Sequence, residues 1–178
     1  MRKIAFPLLL LLVVCFSCKK DVPLVPVNGT ITLSGMINGT APDYYVYGFN
    51  FATGSTQKCY LTSSSADLVV ISIQDPAGDV TGAFFENPQG LDAINLTDYN
   101  ANLSSAEDLF TNYSEVVVTS FTSLTDTVKQ GQLYTFRTAG SKYGKFLVKG
   151  VNIVANGSSQ YAEVTIEWQF QPNGTTKF

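Results

Sequence analysis

The run KYGKFLVKGVNIV, followed after Asn156-Gly157 by YAEVTIEWQFQ, constrains this chain more than any other stretch. Asn and Gly both tolerate positive φ, so the pair marks a tight hairpin between two long strands. Along the second strand Val164, Ile166, Trp168 and Phe170 point one way, while Glu163, Thr165, Glu167 and Gln169 point the other. One face of this sheet is therefore core and the other wet, the habit of antiparallel sheets.

Strand patterns recur upstream. TITLSGMI is followed by YYVYGFNFATG, in which Tyr45, Tyr47, Phe49 and Phe51 share one face of a period-two strand. QKCYLT and ADLVVISI flank a Ser/Thr turn, DPAGD is a turn by composition, and GAFFEN, EVVVTSF and QLYTFRT read as further strands. Residues 87 to 114 lack strand alternation. They contain SSAED, where Ser104 and Glu107 have capping-box spacing ahead of Leu109 and Phe110, which predicts a short helix inside a long connection. Eight or nine strands without a βαβ rhythm predict a mostly-β fold, an antiparallel β-sandwich or flattened barrel with one short helix. Length allows a single domain, expected over residues 30–178.

The first residues carry an address. Arg2 and Lys3 precede an apolar stretch from Ile4 to Phe16, of signal-peptide length and too short to cross a bilayer stably. Ser17 stands directly before Cys18, and Lys19, Lys20 and Asp21 follow. This resembles the lipobox of bacterial lipoproteins. The resemblance implies a signal peptide over residues 1–17, a diacylglycerol anchor on Cys18, and a tether over residues 18–29. It places the protein at the outer membrane, at the cell surface or the periplasmic face, held by its acyl chains.

Composition narrows the chemistry. Loss of residues 1–17 leaves nine Lys+Arg against fourteen Asp+Glu, with no basic cluster in the folded part, so nucleic acid is not an expected partner. The chain has no histidine. That removes Ser-His and Cys-His catalysis and the commonest zinc ligand, and the chain is read as a non-enzyme with no catalytic or metal residues. Cys59 has no partner for an internal disulfide once Cys18 is acylated and Cys15 is removed with the signal; in the alternating run QKCYLT it is a small buried hydrophobe. Asp75, Asp79, Glu86, Asp92 and Asp98 lack EF-hand spacing and read as turn residues.

QLYTFRTAGSKYGKFLVKGV and the final YAEVTIEWQFQPNGTTKF resemble the C-terminal half of HmuY-like surface lipoproteins, a family of mostly-β haem-binding proteins of Bacteroidota. The matching features are Arg137-Thr138, Lys142-Tyr143-Gly144-Lys145, and the stretch from Trp168 to Phe178; upstream, Asp67 is all that remains of an acidic strand start. The resemblance implies haem or another flat hydrophobic molecule as ligand, held in a groove of loops over the sheet, and an outer-membrane receptor as partner. The family's His or Met iron ligands are not matched here. Met36 is the only methionine after the signal, and Tyr99 and Tyr113 are the phenols that a ferric haem would draw on, with Phe84, Phe85 and Phe110 as apolar support. The alternative is a structural or adhesion lipoprotein of the cell surface that contacts protein or glycan partners.

Overall fold

The computed structural model describes residues 27–60, 64–157 and 159–178; the signal, Cys15 and Cys18 lie outside them. The elements run β1 (Asn28–Ser34), β2 (Tyr45–Asn50), β3 (Ser55–Tyr60), β4 (Val69–Gln74), β5 (Val80–Glu86), β6 (Ile94–Tyr99), α1 (Leu103–Asn112), β7 (Gln132–Arg137), β8 (Tyr143–Asn156) and β9 (Ser159–Gln171). Strands β1-β9-β8-β7-β6 form one antiparallel sheet in that order. Hairpins β2–β3 and β4–β5 form the opposing layer, tied together by a bridge between Phe49 and Leu68. The sheets do not close into a barrel, so of the two expected architectures the sandwich is the one found. β1 starts at Asn28, two residues ahead of the expected start.

The alternation in β9 does what its period dictates. Val164, Ile166, Trp168 and Phe170 are buried, while the residues between them are only partly covered. They meet the aromatic side chains of the second layer: Phe51 stacks on Phe136 at 3.6 Å between centroids, and Phe49 packs edge-on to Trp168 at 5.3 Å. Gly144 makes room for this stack, since a Cβ there would stand 2.0 Å from Cζ of Phe136. On the other face of the sheet, α1 buries Ala106 and Phe110 against Leu133 and Leu147.

Three expectations are corrected. The helix begins at Leu103, and its cap is Asn102, whose side chain accepts the Ser105 N–H at 3.1 Å. Asn caps as well as Ser does, and the earlier residue took the role; Ser104 lies inside the helix and Glu107 reaches across to Lys149 on β8. EVVVTSF forms no named strand, whereas INLTDY within the expected connection forms β6. The position beside β7 is filled by β6, so the 114–116 stretch turns to the C-terminal residues: Val116 N–H donates to Thr176 and Glu115 bridges Lys177. The last hairpin is closed one residue later than expected, because Asn156 sits opposite Ser159 as the final strand pair and Gly157 carries the positive φ of 61°.

Candidate functional site

β2 changes character along its length. Phe49 and Phe51 are fully buried, but Tyr45 is half-buried and Tyr47, two residues from Phe49 on the same face, is 40% exposed. Cross-strand pairing sets Tyr60 opposite Tyr45 and Lys58 opposite Tyr47, so three phenols and one ammonium share the open end of the β2–β3 hairpin. Tyr45 is their centre. Its ring meets Tyr47 edge-on at 5.5 Å and Tyr60 at 5.7 Å, and Lys58 Nζ stands 4.4 Å from its centroid, a cation–π contact. Tyr44 and Ile37 are exposed beside them, and Asn38 pairs with Tyr45 through two backbone hydrogen bonds.

The reverse face of the hairpin is what holds this platform. A Cβ on Gly48 would lie 2.5 Å from Cys59 Sγ and 2.6 Å from the Ala66 Cβ, so the two strands and the start of β4 close on a position that only glycine fits. Cys59 is buried there with Ala66 and Val69 and accepts a hydrogen bond from the Ser64 hydroxyl at 3.0 Å, the small-hydrophobe role expected of it. Asp67 is an internal fastening: its carboxylate accepts the Phe51 N–H at 2.9 Å, and burial pushes its pKa up while that hydrogen bond pulls it down.

Met36, Tyr99 and Tyr113 are placed apart. Met36 follows β1, and its sulfur accepts a weak hydrogen bond from Asn156 at the β8–β9 tip. Tyr99 is exposed at the end of β6, the sheet edge opposite β1. Tyr113 is the C-cap of α1, with a buried hydroxyl that has no hydrogen-bond partner among the described residues. Of the apolar candidates, Phe85 and Phe110 are core and Phe84 is half-buried. The resemblance therefore named residues on three different elements, and it did not name the tyrosine platform. The signal for the platform was present in the alternating aromatics of YYVYGFNF and the QKCY run, but pairing across strands is needed to assemble it.

Lys145, within the Lys-Tyr-Gly-Lys motif, is buried and fastens the end of α1. Its Nζ donates to the carbonyls of Phe110 at 2.5 Å and Tyr113 at 2.6 Å, and the rings of Phe110 and Phe178 flank it. Burial pushes this lysine down to about 8, with Glu167 pulling the other way. Among the described residues no three His, Cys, Asp or Glu side chains gather where a metal ion could sit, and no helix is long and apolar enough to cross a membrane. Asp75 serves its own turn, accepting the N–H groups of Ala77 and Asp79. An open cleft of about 410 Å³ lies between the last turn of α1 and the β1–β9 edge, lined by Asn28, Thr30, Phe110, Thr111, Glu167 and Gln169. None of the three expected haem ligands lines it.

No family model matches the chain, and neither a curated protein nor a solved structure does.

Proposed function

We propose that this is an exported, non-enzymatic binding protein, anchored to the outer membrane through Cys18, whose binding surface is the tyrosine platform of the β2–β3 hairpin. The observation that carries the reading is the exposure of Tyr47 and Tyr60 around Tyr45 on a two-stranded support. Large aromatics gathered in water are unusual on a protein that has no partner, and tyrosine offers broad contact area with few torsions to immobilise. This favours the adhesion role, contact with a macromolecule at the cell surface, over a buried prosthetic ligand. Haem capture is the second reading, and what favours it is Tyr99, whose phenol stands exposed at a sheet edge where iron could reach it.

The test is a binding comparison between wild type and a Tyr45→Ser/Tyr47→Ser/Tyr60→Ser variant on immobilised polysaccharides and glycoproteins, with a haemin titration in parallel. The platform reading expects binding to one of these surfaces that weakens at least tenfold in the variant. Equal binding by both proteins rules the platform out as the contact surface. A saturable Soret shift lost in Tyr99→Phe, Tyr113→Phe or Met36→Leu moves the assignment to haem.

A further inference from the structure

We propose that the platform recognises an acidic glycan, a chain of pyranose rings bearing carboxylates. The inference rests on reading the platform as the binding surface, and it names the ligand class. In this arrangement sugar rings lie on Tyr47 and Tyr60 while one carboxylate meets the Lys58 ammonium.

Shape supplies the first argument. Tyr47 and Tyr60 flank Tyr45 at centroid distances of 5.5 and 5.7 Å, with interplanar angles of 87° and 55°, so the cluster presents several differently tilted faces and no closed slot. A pyranose ring has C–H groups on its faces and hydroxyls at its rim; a phenol has an apolar face and a hydroxyl tip. The two match part for part, and a flat, fully apolar ligand would leave the phenol hydroxyls without use. The hairpin is also preorganised, because Gly48 lets the strands seat against Ala66 and Val69, so little ordering is left for the binding step.

Charge supplies the second. Across residues 27–128 the sequence carries eleven Asp and Glu, and Lys58 is the one Lys or Arg among them. The ion pairs among the described residues are those of Lys149, with Glu107 and Glu167. Among the described residues Lys58 thus forms no ion pair, and it holds its charge over the Tyr45 ring. Standing over the central ring of the aromatic cluster, in a stretch of sequence whose other charges are all negative, this one ammonium selects a carboxylate at that point. Such placement serves register on a repeating acidic chain.

The experiment uses the full chain in detergent micelles, titrated with hyaluronate, alginate and polygalacturonate and with the carboxyl-reduced form of each. The expected result is binding to at least one acidic polymer, at least tenfold weaker binding to its reduced form, at least fivefold weaker binding by Lys58→Gln, and loss of binding in Tyr47→Ser/Tyr60→Ser. Near-UV circular dichroism of buried Trp168 verifies that each variant is folded. Equal affinity for acidic and reduced polymers, or no effect of Lys58→Gln, overturns the acidic-glycan assignment, and the platform reading survives if the tyrosine variant still loses binding. Binding that withstands the tyrosine changes defeats the platform reading itself. No binding to any of the three acidic polymers also overturns the inference, while the platform is judged by the comparison on neutral polysaccharides and glycoproteins.

Discussion

Two aromatic clusters grow from the same strand and differ in what accounts for them. At one end of β2, Phe49 and Phe51 lock into Phe136, Phe146 and Trp168, with no exposed surface on either phenylalanine. At the other end, Tyr45 and Tyr47, with Tyr60 from β3, also touch ring to ring, at 5.5 and 5.7 Å between centroids, but stay in contact with water. Ring-to-ring contact is common to both; desolvation is found in only one. Folding explains the phenylalanines, whose burial removes apolar area from water. The tyrosines gain little from folding, and the hydroxyl on each ring suits the half of the strand that stays in contact with water.

That division can be broken in measurable ways. Phe51→Ala removes the ring stacked on Phe136 and is expected to cost about 3–5 kcal/mol, read as a fall in the denaturant midpoint. Gly144→Ala drives a methyl from β8 into Phe136 on the neighbouring strand β7, the same stack, and should cost about 1–3 kcal/mol without altering binding by the platform. Lys145→Met leaves the Phe110 and Tyr113 carbonyls unpaired and should cost about 2 kcal/mol at neutral pH, with faster amide exchange in the last turn of α1. This lysine also gives a pH signature. Its folded-state pKa of about 8 lies below the unfolded value of 10.5, so between those pH values the unfolded chain holds a proton that the folded chain has released. The contribution of Lys145 to stability therefore rises with pH through that window, and the slope should be lost from the Lys145→Met profile and stand alone in the wild-type minus Lys145→Met difference. Tyr47→Ser should be mildest, about 1 kcal/mol or less, while abolishing partner contact. A stability loss at Tyr47 as large as that at Phe51 would make the two clusters one core.

How much of this could be read from the sequence follows from how local each determinant is. β9 was legible because its period of two is written into consecutive residues and the whole strand is one-faced. β6 was not: Asn95 and Asp98 dilute its pattern, and a shift in register between Leu96 and Asp98 breaks the alternation. EVVVTSF misled in the opposite direction, since β-branched residues favour a pleated surface but cannot say whether the neighbouring edge is vacant. The shared face of Tyr45, Tyr47, Phe49 and Phe51 was visible, yet the point where it passes from core to water depends on where the opposing sheet ends. Lys145 had no local signal, because its partners lie 32 and 35 residues away in sequence.

β1 joins the N-terminal end of the described residues to the tyrosine platform. It leaves Val27 beside Phe170, runs seven residues against β9 from the Asn28–Gln169 pair to the Ser34–Glu163 pair, and passes directly into the segment whose Asn38 pairs with Tyr45. At about 3.3 Å per residue β1 spans roughly 23 Å. On the anchoring proposed at Cys18, drag on a partner held at the platform would put tension along the axis of β1, and the hydrogen bonds to β9 would carry it in shear, all loaded together. The same ladder pulled sideways would open one bond at a time. So anchored, the chain would take mechanical load into the sandwich along its most resistant direction.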